Sequence, residues 1–112
     1  MLLNVTRTEN ERGWTMLSVK GEIDIATAGI LDEAIEQAVT DGRTRIAVDL
    51  EGVSFMDSTG LRTLIVAHRR LGDVGGTLAV IPGSGPIRRL LEVAGVVDTL
   101  EIVTVAGDLP PA

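Results

Sequence analysis

The sequence predicts a single α/β domain: a mostly parallel sheet with an antiparallel first strand, helices packed on the sheet, and the order β-β-α-β-α-β-α-β. Three observations carry this reading. At 112 residues, 45% of them hydrophobic, the chain suits one domain around one core and is too apolar to be disordered. Apolar residues recur at helical spacing in three stretches and in short runs or alternation in five. From the second strand onward the two kinds of stretch take turns, which implies parallel strands joined by right-handed crossovers. Aromatics amount to 2%, Trp14 and Phe55, so the core is aliphatic.

The elements follow in order. Residues 2–8 alternate apolar and polar with β-branched members and read as a strand. Asn10 to Gly13 supply a turn, and residues 14–21 read as the second strand of an antiparallel hairpin. The period then changes. Leu31, Ile35 and Ala38 form one stripe, flanked by Ala28, Ala34 and Val39, with Asp32, Glu33 and Glu36 facing away. This predicts an amphipathic helix with Thr27 as N-cap and Gly42 as its stop. Residues 45–50 are a short apolar run, read as a buried strand with Ile46, Val48 and Leu50 on one face and Ala47 on the other. After Ser58 the spacing is helical again, through Leu61, Leu64, Ile65, His68 and Leu71. Residues 76–83 read as a further buried strand. Pro86 opens a third helix that stops at Gly95, with Ile87, Leu90, Leu91 and Ala94 inward. Residues 100–105 are the last strand, and residues 1–105 are taken as the domain. The tail, 106–112, is too short and proline-rich for another helix.

Charge and composition exclude several functions. A net charge of −6 and a pI near 4.6 argue against nucleic acid and anionic membranes, both of which need a basic face. With no cysteine and a single histidine, neither a disulfide framework nor a zinc site is expected, and no cofactor is called for. No apolar run approaches the ~18 residues of a membrane span, and residues 1–9 do not resemble a signal peptide. A cytoplasmic, non-enzymatic protein is the expectation.

In parallel βα units the loops after the strands meet at one end of the sheet. Here that end gathers Asp24 and Thr27, then Asp57, Ser58 and Thr59, then Gly83, Ser84 and Gly85, beside three helix N-termini that favour an added phosphate. Ser58 is the sharpest candidate. It could be an N-cap, a role Asp57 could take instead. A nucleophile is disfavoured: Met56 stands where a hydrolase elbow needs glycine, and His68 is roughly 15 Å down the same helix. His68 itself reads as a partly buried, hydrogen-bonded histidine. A phosphoaspartate receiver lacks its paired acids and its late lysine here. Gly83 to Arg89 lack the Gly-Lys-Ser/Thr ending of a nucleotide loop.

Gly21–Ala28 ("GEIDIATA"), Val48–Leu71 ("VDLEGVSFMDSTGLRTLIVAHRRL") and Pro86–Ile102 ("PIRRLLEVAGVVDTLEI") together resemble the anti-sigma factor antagonists of the STAS domain family. The likeness runs over nearly the whole chain, and Asp57-Ser58-Thr59-Gly60-Leu61 is its most specific part. The resemblance implies a protein without catalytic activity. Unphosphorylated, such a protein binds an anti-sigma factor that is also a serine kinase, freeing a sigma factor. The kinase modifies the serine matching Ser58 and the complex parts; a metal-dependent serine phosphatase restores the binding form. Asp24 matches an acidic position beside that serine. The family's usual final helix has no counterpart in residues 106–112, which implies an edge of the sheet left barer or covered by another chain.

A phosphate adds about −1.5 to −2 charges. Beside Asp57 and Asp24, unit charges about 4 Å apart interact by roughly 4 kcal/mol near a surface, equivalent to about a thousandfold in affinity. Arg62, Val66, Arg69 and Arg70 share a helix face through spacings of three and four. They are read either as solvated surface or as the rest of a partner footprint, with Thr59 as an alternative phosphate acceptor. Two other functional classes stand beside this one. One is a STAS scaffold subunit of a stress-signalling or lipid-transport complex. The other is a small-molecule or nucleotide binder in a strand-end crevice.

Overall fold

The computed structural model describes residues 3–111. A five-stranded sheet runs β1 (Asn4–Glu9), β2 (Thr15–Ile23), β3 (Arg45–Met56), β4 (Thr77–Ile81), β5 (Glu101–Ile102), in that spatial order. β1 is antiparallel to β2 and every other pair is parallel. The crossovers carry α1 (Ala28–Thr40), α2 (Ser58–Asp73) and α3 (Pro86–Val93). Each strand is laid beside the one before it, so crossovers of one hand place all three helices on one face. The main core accordingly lies between Leu17, Val19, Ile46, Val48, Leu50, Leu78 and Val80 of the sheet and Leu31, Ile35, Leu64, Leu71 and Leu91 of the helices.

Several elements differ from their sequence reading. Leu2 and Ala112 lie outside the described residues. β3 is twice the predicted length. The pair Glu51-Gly52 looks like a turn, yet β3 continues pairing with β2 to Met56 through two register irregularities. A Cβ at Gly52 would lie 2.9 Å from the Val19 carbonyl oxygen, so glycine there permits close approach of the strands. β5 keeps only two residues in its ladder, because the chain bends away after Val103. Ala94 is exposed as the C-cap of α3 instead of facing inward. Glu36 does not face solvent alone: it is half-buried and ion-pairs with Arg70 of α2. Thr27 occupies the N-cap position of α1, but its hydroxyl makes no capping bond to the helix. Gly42 follows the last turn at φ 86°, the left-handed conformation that ends helices.

Arg7 of β1 donates to Asp41 at 2.7 Å, tying the edge strand to the end of α1. That hydrogen bond holds the Asp41 carboxyl below the usual carboxylate range. Among the described residues, no helix is long and apolar enough to cross a membrane.

The sheet's other face is not bare. Residues 106–108 form one 3-10 turn, and the tail then crosses the lower half of this face. Leu109 is fully buried against Trp14, Met16, Ala47, Ala79 and Ile81. Trp14 Nε1 donates to the Pro110 carbonyl at 2.8 Å, and Arg12 to that of Leu109 at 2.8 Å. Arg45 stacks over the Trp14 ring, 4.6 Å from its centroid, and donates to Pro110 and Pro111 carbonyls. This strap covers a face of the sheet and not the edge that the sequence left barer. Leu109→Ala should therefore cost about 2 kcal/mol, the low end for a buried leucine, since a terminal strap relaxes easily. Urea unfolding would show it, with a red shift in native emission from Trp14, the only tryptophan. Unchanged stability and emission would mean that the strap contributes nothing.

Candidate functional site

The parallel strands β2 and β3 end together, with Ile23 paired to Met56. Asp24 and Asp57 are the next residues, so the two acids emerge from neighbouring strand ends, ~4.8 Å apart in the pairing direction. Asp57 N–H donates to the Ile23 carbonyl at 3.1 Å, which carries the sheet's pairing one residue into the turn.

Asp57 is the N-cap of α2. Its Oδ1 accepts from Thr59 N–H at 2.8 Å, and its extended backbone turns the chain from strand to helix. Ser58 is thereby displaced from the capping role the sequence allowed it. It becomes the first helical residue, exposed, with a hydroxyl that makes no side-chain hydrogen bond among the described residues. Thr59 is half-buried, and its carbonyl accepts from the Thr63 hydroxyl at 3.1 Å.

Gly60 explains why the turn is so compact. It is buried, and a Cβ there would lie 2.5 Å from Met56 Cγ and 2.7 Å from Ile23 Cγ2. Only glycine lets the first turn of α2 rest directly on the ends of both strands.

Asp24 is equally committed. Its Oδ1 accepts from Ala26 N–H at 2.9 Å and Thr27 N–H at 3.1 Å. The buried Thr27 hydroxyl donates to the Glu22 carbonyl at 2.7 Å and accepts from Asp24 N–H at 3.0 Å. The β2–α1 loop is thus a closed set of hydrogen bonds beside Ser58.

Along α2 the buried side is Gly60, Leu64, Ala67 and Leu71. At about 100° per residue, Ser58, Arg62 and Arg69 lie opposite it, with Val66 at its margin. All four are exposed. Arg70 lies roughly 120° around from Ser58, turned to α1, where Glu36 neutralises it. The structure thus separates Arg70 from Arg62 and Arg69, which form no ion pair among the described residues. His68 is half-buried as expected, but it is not hydrogen-bonded: its Nδ1 is buried and has no partner among the described residues.

The sheet lacks the switch point at which a strand-end crevice usually forms. Such crevices form where strand order reverses and helices diverge to opposite faces; this order never reverses. Two depressions, of about 270 Å³ beside Arg12 and Gly107 and about 200 Å³ beside Lys20 and Glu51, lie away from Ser58. Ile25 and Phe55, which sequence reasoning did not single out, stand exposed at the same end as Ser58. Phe55 lies in an apolar run that reads as core, and only the extra length of β3 shows that it emerges.

The family model for the STAS domain matches residues 4–108. An anti-sigma-B factor antagonist of Staphylococcus aureus is 33% identical over 102 residues, covering 91% of this chain and 94% of that protein. The crystal structure of an anti-sigma factor antagonist from Mycobacterium paratuberculosis superposes with a TM-score of 0.85 at 29% identity, over 95% of this chain and 89% of that one. The phosphorylated form of the Bacillus cell fate determinant SpoIIAA shares the fold, with a TM-score of 0.67 at 24% identity, over 90% and 92% of the two chains.

Asp57→Ala should destabilise the protein by about 1 kcal/mol through loss of the cap, while Asp57→Ser should keep most of it. Thermal melts would register the first as a drop of roughly 4 °C. Equal melting of both variants and the parent would show that Asp57 does not hold the helix start. The chain belongs to the STAS domain family.

Proposed function

We propose that this STAS domain is an anti-sigma factor antagonist switched by phosphorylation at Ser58. Unphosphorylated, it binds an anti-sigma factor that is also a serine kinase, and a sigma factor is freed. The kinase transfers the γ-phosphoryl group of ATP to the Ser58 hydroxyl; the hydroxyl proton is lost and ADP leaves. The modified chain releases its partner until a serine phosphatase hydrolyses the ester. The chain has no catalytic part in this cycle and works in the cytoplasm.

The observation that carries the reading is the exposure of Ser58 with its hydroxyl unspent, because Asp57 takes the cap. A kinase meets an accessible nucleophile on a rigid turn. Thr59 is the poorer acceptor, half-buried one residue on. The phosphate would arrive at a helix N-terminus, which tolerates anions, so the fold would persist while the surface changes. The names of the relatives support the sigma-factor role over a scaffold role in another assembly. Asp24, Asp57, Thr59, Arg62, Val66 and Arg69 complete the proposed footprint, with Arg70 at its border because Glu36 already holds it.

The test uses a purified serine-kinase anti-sigma factor from the genome that encodes this chain. With ATP it should add one phosphate, which mass spectrometry places at Ser58. Ser58→Ala should bind that partner like the parent, and Ser58→Asp should bind at least about a hundredfold more weakly. Equal binding by both variants contradicts the switch and favours the scaffold.

A further inference from the structure

Ser58 is not set in polar surface. Seven large hydrophobic side chains stand exposed among the described residues, and two of them, Ile25 and Phe55, stand at the paired strand ends from which α2 and Ser58 start. Ile25 is 86% exposed, yet it is not on a slack loop. Asp24 on one side and Thr27 on the other are tied into the hydrogen bonds described above. A large apolar side chain is therefore held out in water by a rigid turn. Phe55 is 50% exposed at the end of β3, where alternation turns it away from the buried Met56. Val66 lies about 12 Å down α2 from Ser58. Arg62 lies between them and Arg69 just beyond Val66, neither ion-paired among the described residues, on a chain whose net charge is −6.

We propose that Ile25 and Phe55 are the apolar anchors by which this chain docks on its anti-sigma factor, and that the partner's surface there is an apolar pocket edged by carboxylates. This rests on the functional reading above and specifies its interface. A few well-seated side chains carry most of the affinity of a protein interface, and anchors held in place before docking lose little freedom on binding. Charge fixes the partner's edge. An acidic chain repels acidic surfaces in general, but the two free arginines reverse the sign locally and favour a carboxylate-lined rim.

The same arrangement accounts for the switch. A partner seated at the strand ends on Ile25 and Phe55 and reaching Val66 along α2 covers the start of that helix and strips water from Ser58. A hydroxyl bears that loss at modest cost, whereas a phosphate near two negative charges does not. Release then follows from dehydration of the phosphate under the apolar contacts, with the carboxylate rim adding repulsion.

Isothermal titration of the same anti-sigma factor against full-length variants tests this. Ile25→Ser and Phe55→Ser should each raise Kd about ten- to a hundredfold with unchanged melting temperature, and Ile25→Leu should restore binding. Val93→Ser, at an exposed valine closing the far end of α3, should bind like the parent. Parental affinity in both serine variants overturns the proposal while leaving the functional reading intact. So does a parental dimer, seen by light scattering, that Phe55→Ser dissociates, because the patch would then join copies of this chain. A parent that fails to bind the anti-sigma factor overturns the functional reading, and this proposal with it.

Discussion

The first turn of α2 is seated on the paired ends of β2 and β3, and the seat leaves no room for a side chain at Gly60. The Asp57 N–H prolongs the strand pairing while its carboxylate begins the helix. One residue thus closes the sheet and opens the helix. Everything distinctive about Ser58 follows from this junction. It is first in the helix, so its side chain projects outward, and it is not the cap, so its oxygen is unspent. A serine in the capping position would have its oxygen engaged and its surroundings closed.

A rigid seat also decides what kind of switch is possible. The β2–α1 loop is bound within itself through Asp24 and Thr27, and Arg70 of α2 pairs with Glu36 of α1. The charge of a phosphate is large beside a typical interface contact, so local electrostatics and dehydration suffice. Stability resides elsewhere: in the aliphatic layer beneath the helices and in the strap that shields Trp14 on the opposite face.

Much of this was legible in the sequence because periodicity reports burial. The stripe Leu31, Ile35, Ala38 is the buried side of α1, and the alternation of Ile46, Val48 and Leu50 separates core from outer face as read. The rest was hidden for definite reasons. Glu51-Gly52 imitates a turn and conceals half of β3. Ile25 and Phe55 are apolar and so look like core, whereas a rigid loop and a long strand carry them into solvent. Arg70 falls within the spacing of its neighbours but rotates toward α1, where Glu36 waits. Leu109, Pro110 and Pro111 have no periodicity at all. Their only advance signal is the need of Trp14, early in the chain, for cover and for an acceptor at its indole N–H.

The central claim is that a phosphate on an exposed first-turn hydroxyl alters the surface and leaves the backbone in place. Phosphoserine installed at position 58 of the full chain, followed by amide NMR, tests it most directly. The account predicts shifts confined to the start of α2 and the adjoining Asp24–Thr27 loop, with core amides superimposable on those of the unmodified protein. Shifts running through β3, α1 and the strap would mean that the molecule rearranges, and would contradict it.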